Sequence, residues 1–139
     1  MIYAWKSLPY FMHFGYGDNR PIEIGTIYEV GYPAIVCDWG FHASIKAIDM
    51  LTWAQSDIVA RVKCSGHIDF GADKLACTKI QCTHIFNARA AFSKYANFET
   101  YLPFAFREAK AYAYRNHLRD EDRLVRLLRK DMRCSQKNK

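Results

Sequence analysis

Trp39-Gly40-Phe41-His42-Ala43-Ser44 is the stretch on which the fold turns, because it carries the chain from strand into helix. Ala34-Ile35-Val36-Cys37 before it is a short apolar run that reads as a buried strand, and Gly40 supplies the backbone freedom needed to leave it. Ser44 is placed to cap the helix that follows, its hydroxyl accepting from a first-turn amide. In that helix Ile45, Ile48, Leu51 and Thr52 or Trp53 recur at three- and four-residue spacing, so one face is expected to be buried.

Outward from the corner, the chain reads as strands. Ile2-Tyr3-Ala4-Trp5-Lys6 is a first strand with the tyrosine and tryptophan on one face. An aromatic, glycine-bearing loop follows, whose Phe11, Phe14 and Tyr16 are expected to fold onto the body or meet a partner. Residues 22–30 alternate on either side of Gly25, as half-buried strands interrupted by a turn or bulge. After the helix, residues 57–64 alternate most regularly, with Ile58, Ala60, Val62 and Cys64 inward. Ser65-Gly66 reads as a turn, Ile68 and Phe70 as a short strand, and Gly71-Ala72-Asp73 as a second turn. Residues 74–82 are the next strand, with Leu75 or Ile80 inward depending on register.

Beyond residue 86 the period changes from two to near four. Asn87 is placed to cap an alanine-rich segment over 88–96, and Pro103 permits a helix over 104–117. The last helix opens on Asp120, Glu121 and Asp122, where the helix dipole favours acids, and ends on bases. Leu124, Val125, Leu128 and Met132 give it a buried stripe, and residues 135–139 are expected to fray. The predicted architecture is α+β: one domain over 1–139, with a small, mostly antiparallel sheet packed on one helix up to residue 86 and a helical, basic part over 87–139.

Half of the 139 residues are hydrophobic and 15% are aromatic, which argues for a packed globule. Apolar runs are short, and the first residues lack a basic segment followed by a hydrophobic one. The expectation is therefore a cytoplasmic chain with neither membrane span nor secretory signal. Five cysteines without a C-x-x-C pair read as free thiols. Cys77, Cys82 and His84 match no common zinc spacing, and on a continuous strand the two cysteines fall on opposite faces, so no metal is expected. The net charge of +6 is uneven: residues 115–139 hold nine Lys or Arg against four acids. That asymmetry points to an acidic protein surface or a nucleic-acid backbone as partner.

Four segments together carry a resemblance: Tyr3-Ala4-Trp5-Lys6-Ser7-Leu8, Ile22-Glu23-Ile24-Gly25-Thr26-Ile27-Tyr28, Gly40-Phe41-His42-Ala43-Ser44, and residues 73–80. The chain resembles, over residues 2–82, a family of short uncharacterised phage and prophage proteins marked by a Gly-Phe-His-Ala-Cys/Ser corner. It departs from that pattern where no glycine follows Lys6. The resemblance implies a viral accessory protein and no assigned chemistry. More loosely, the strand-turn-helix with its aromatics resembles the ADP-ribosyltransferase fold. Its triad is incomplete here, since the first strand offers only Lys6 and neither Glu99 nor Glu108 begins a strand.

Two sets of residues are candidates for function. Arg119, Arg123, Arg126, Arg129, Lys130 and Arg133 surround the apolar stripe of the last helix and are spaced to track phosphates or an acidic groove. Some of this charge is expected to be paired internally, Asp122 with Arg126 and Asp120 with Arg123. At the corner, Trp39, His42, Ser44 and Trp53 form a candidate ligand pocket, with His42 as the catalytic base if the protein is an enzyme. The plainer reading makes His42 a ring that holds the turn and the tryptophans core aromatics. The leading expectation is a non-catalytic accessory protein, anti-CRISPR-like, that binds and inhibits a host nucleoprotein or defence complex through the basic helical end, without a cofactor. The alternatives are an NAD-dependent modifying enzyme with its pocket at residues 39–44, and direct nucleic-acid binding.

Overall fold

A computed structural model describes residues 1–14, 19–54, 56–94 and 120–137. Its spine is one long antiparallel hairpin, β4 (Ile58–Phe70) with β5 (Leu75–Asn87), closed by the Gly71 amide donating to the Lys74 carbonyl at 2.8 Å. β1 (Ile2–Leu8) lies antiparallel on the outer edge of β4. Two three-residue strands, β2 (Ile27–Glu29) and β3 (Phe41–Ala43), pair consecutive stretches of the other edge of β5. The Trp5 amide donates to the Ser44 carbonyl at 2.7 Å and the Ser44 amide to the Trp5 carbonyl at 2.9 Å. This bridge joins the ends of the series β1-β4-β5-β3, so the sheet curls into a small barrel.

Two bulges produce the curl. Opposite Thr78, β4 carries an extra residue at Gly66 and His67, and β5 carries one at Thr83. Gly66 has φ +73°, and a Cβ there would collide with the Thr78 hydroxyl, which accepts from the His67 amide. What reads locally as a turn at Ser65-Gly66 is thus a bulge in an unbroken strand. The change of alternation turns Leu75 and Cys77 inward before the bulge and Ile80 and Cys82 inward after it. Leu75 and Ile80 are therefore both buried, and Cys77 and Cys82 share the barrel interior instead of lying on opposite faces. Ile58, Ala60, Val62 and Cys64 line the same interior, as their alternation predicts.

A second apolar cluster covers one outer face of the sheet. Trp5, Val59 and Phe86 pack there against α1 (Ala47–Met50) with its 3-10 extension Leu51–Trp53, α2 (Arg89–Phe92), and α3 (Asp120–Lys137). Leu124 and Leu128 of α3 are fully buried, with Val125 and Met132 beside them, so the predicted stripe is observed. Burial of the two leucines contributes roughly 2 kcal/mol each. Two acids of α3 cap other helices. Glu121 accepts from the Ala47 and Ile48 amides at 2.7 and 2.9 Å, and Asp131 accepts from the Ala91 amide at 2.8 Å. These bonds fill the cap role at α1 that the sequence suggests for Ser44, whose hydroxyl instead donates to the Asp73 carbonyl at 2.8 Å.

The corner also differs from its sequence reading. Residues 34–39 form a tight loop, not a buried strand: Ile35 and Trp39 exchange backbone hydrogen bonds, both at 2.8 Å, around an exposed Cys37 at φ +67°. The strand is Phe41–Ala43, entered through Gly40 at φ +108°, where a Cβ would meet the Cys77 carbonyl at 2.8 Å. Ile45 is exposed and the helix is only four residues long before its 3-10 turn. In the segment before the corner only Ile27–Glu29 is strand, with Tyr28 buried and Ile27 exposed. Phe14 folds inward, 4.7 Å from the Tyr28 ring and 4.9 Å from that of Phe41, while Phe11 stays exposed. α2 is shorter than the predicted 88–96, with the Asn87 side chain accepting from the Arg89 amide. α3 continues through Lys137, past the expected fraying point. Tyr16, the predicted helix over 104–117, Glu99, Glu108 and Arg119 lie outside the described residues.

Candidate polyanion-binding groove

The antiparallel register places cations and aromatics in rows across the outer face of the sheet. Trp5 stands opposite Arg61 and Arg61 opposite His84, while Tyr3 stands opposite Lys63. The Arg61 guanidinium lies over the Trp5 ring, 4.3 Å from its centroid, and also reaches the Tyr3 ring at 5.6 Å. Lys63 Nζ lies 5.7 Å from the Tyr3 centroid. α3 forms the opposite wall with Arg129, Met132 and Arg133. The groove between them has a volume of about 680 Å³ and is lined by Arg61, Lys63, Arg129 and Arg133 with no carboxylate among the described lining residues.

Arg61 is the centre of this arrangement. Its Nη1 is enclosed and has no hydrogen-bond acceptor among the described residues. Burial, then the charge of Arg129, pulls its pKa below the ordinary arginine value. An enclosed guanidinium stacked on an indole is held flat and pre-oriented, and the charge of Glu121 partly offsets that of Arg129.

Of the cations expected in a binding surface, Arg129 and Arg133 line the groove. Arg123, Arg126 and Lys130 are exposed on α3 and do not line it. The sequence reading missed Arg61, Lys63, Tyr3 and His84. The outward alternation of Arg61 and Lys63 opposite Ala60, Val62 and Cys64 is the signal that finds them, once β1 is paired alongside.

The corner candidates form a separate pocket at the mouth of the barrel. His42, Ser44 and Trp53 line a cavity of about 150 Å³ together with Lys6 and Lys74. Trp39 does not line it: its indole donates to the Gly31 carbonyl at 2.7 Å and tethers the loop. His42 is engaged on both ring nitrogens. Nε2 accepts from the Cys37 amide at 2.9 Å and Nδ1 lies 3.2 Å from the Gly40 carbonyl. Burial, with the charges of Lys6 and Lys74, lowers its pKa from 6.5 to about 4. The ring is thus a neutral brace for the corner loop. Of the cysteines read as free thiols, Cys64, Cys77 and Cys82 are buried and Cys37 and Cys134 are exposed.

A family model described as a domain of unknown function, DUF7666, matches residues 18–94, more than half of the chain. The chain belongs to this family. The DUF7666 match spans the corner, β2, β3 and the β4–β5 hairpin, whereas β1 and α3 fall outside it. No curated protein and no solved structure matches the chain. Among the described residues no helix is long and apolar enough to cross a membrane, and no group of three or more His, Cys, Asp or Glu is placed to hold a metal ion.

Proposed function

We propose that this protein is a phage-type accessory protein that binds and inhibits a host nucleoprotein or defence complex, and that the groove between the sheet and α3 receives the nucleic-acid strand of that complex. The observation that carries this reading is four cations on one groove without a carboxylate among its described lining residues. A phosphate backbone offers acidic oxygens to the cations lining the groove, and the exposed ring of Tyr3 offers a base a stacking face. The corner motif and the basic C-terminal helix support the accessory role. The NAD-dependent alternative draws less support, since about 150 Å³ is smaller than the roughly 300 Å³ at which pockets for cofactor-sized molecules begin, and His42 is committed to the loop.

The test is fluorescence anisotropy of the whole chain with labelled single-stranded DNA and RNA, repeated with a glutamate-rich peptide. The expected outcome is oligonucleotide binding that weakens linearly in log–log form as salt rises. Absence of oligonucleotide binding at low salt, or tighter binding of the acidic peptide, overturns the assignment of the groove to nucleic acid.

A further inference from the structure

Strand alternation puts Lys6 where a lysine is least expected, on the inward face of β1 between the buried Ala4 and Leu8. Its ammonium donates to the His42 carbonyl at 2.6 Å, and no carboxylate accompanies it among the described residues lining the pocket. The titratable groups that face it are the thiols of Cys64, Cys77 and Cys82 on β4 and β5, His42 on β3, and Lys74 at the turn. Lys6 is also among the residues that line the mouth cavity, so a small molecule held there meets this residue. Lys74 sits at the rim with its Nζ 3.8 Å from the Trp53 centroid.

From this geometry we propose that Lys6 is a carbonyl-reactive amine. The pocket takes a small aldehyde or keto acid whose carboxylate pairs with Lys74 while its carbonyl carbon meets Lys6 Nζ. This is independent of the groove. A cavity of about 150 Å³ matches one that holds a benzene-sized molecule, so the ligand is an acid of a few carbons and not a nucleotide.

The step balances without an external oxidant or reductant. The nitrogen lone pair adds to the carbonyl carbon, the C=O π bond opens, and the oxygen takes up the proton shed by nitrogen to give a carbinolamine. The nitrogen lone pair then expels the hydroxyl, which leaves as water with one proton from solvent, and the product is an iminium on Lys6. Burial lowers the Lys6 pKa from its ordinary value, which enlarges the free-base fraction that attacks.

The probe is glyoxylate with cyanoborohydride at neutral pH, which converts an imine irreversibly to a carboxymethyl amine that peptide mass spectrometry locates. Lys6 is expected to be labelled at least about tenfold faster than the exposed Lys46. Lys6→Arg, checked for an unchanged melting temperature, removes that label. Lys74→Ala slows Lys6 labelling several-fold with glyoxylate but not with formaldehyde, which has no carboxylate. Labelling of Lys6 no faster than Lys46 overturns the nucleophile. An equal effect of Lys74→Ala on both probes overturns the carboxylate pairing.

Discussion

The barrel mouth and the outer groove both collect cations, and they hold them by opposite means. At the mouth, Lys6 is folded into the interior and bonded to a backbone carbonyl, and among the described residues lining the pocket the other charged one is a second lysine. In the groove, Arg61 lies on an indole, and its enclosed Nη1 has no acceptor among the described residues. An amine lining a small pocket is suited to chemistry on a small molecule. Several cations in an open groove are suited to an extended polyanion. The contrast teaches that charge count along the sequence is a poor guide: of the described cations of α3, only Arg129 and Arg133 line the groove.

The sharpest way to break this comparison is to reverse charges on α3 in pairs. Arg129→Glu with Arg133→Glu is expected to weaken oligonucleotide binding at low salt by at least about tenfold. It should also flatten the salt dependence by about one unit of log–log slope per cation lost. Arg126→Glu with Lys130→Glu, on the same helix but off the groove, is expected to have a much smaller effect. Equal losses in the two pairs would return the binding surface to the helix as a whole.

The mouth is separated from the groove by its acid response. His42 has a folded pKa of about 4 against 6.5 unfolded, so its contribution to stability is present above pH 6.5 and is lost as the pH falls through 4. Over that window thermal melts should show a loss on the order of 2 kcal/mol after allowance for solvent screening, and His42→Gln should remove it. Parallel pH profiles for the two proteins would show that the brace is not what acid releases.

The smallest expected effect concerns the lysine itself. Its folded pKa is depressed by burial, so its contribution is present above the unfolded value of 10.5 and is lost as the pH falls through the folded one. Lys6→Met is therefore expected to be the more stable protein at pH 7, by about 1 kcal/mol. The advantage should shrink as the pH approaches 10. A variant less stable than the parent at pH 7 would mean that the hydrogen bond to His42 outweighs the cost of the buried charge.

How far the sequence discloses this fold depends on where each polar group is satisfied. The alternation over Ile58, Ala60, Val62 and Cys64 is regular because one face of β4 is core, and it reads correctly without help. The run from Ala34 to Cys37 is as apolar, but it is a loop. Two of its amides are met by side chains distant in sequence: His67 Nδ1 accepts from Ala34 at 3.0 Å and Asp69 from Val36 at 2.8 Å. No local pattern announces such partners. The parity changes in β5 are equally silent, since a bulge is set by the partner strand. At the sites, Lys6 is legible as an inward residue from alternation alone, whereas the groove needs the register of β1 on β4 before Arg61 meets Trp5.

The caps supplied by Glu121 and Asp131 impose an order on how this molecule assembles. α1 and α2 are each four residues long, below any length at which a helix persists in water by itself, and they receive carboxylates from 73 or 74 and 40 residues further along the chain. The hairpin, whose strands adjoin in sequence, closes early, and the two short helices become lasting structure only once α3 arrives. Amide hydrogens of Ala47, Ile48 and Ala91 are then protected from exchange only for as long as α3 stays docked, whatever the state of the barrel beneath.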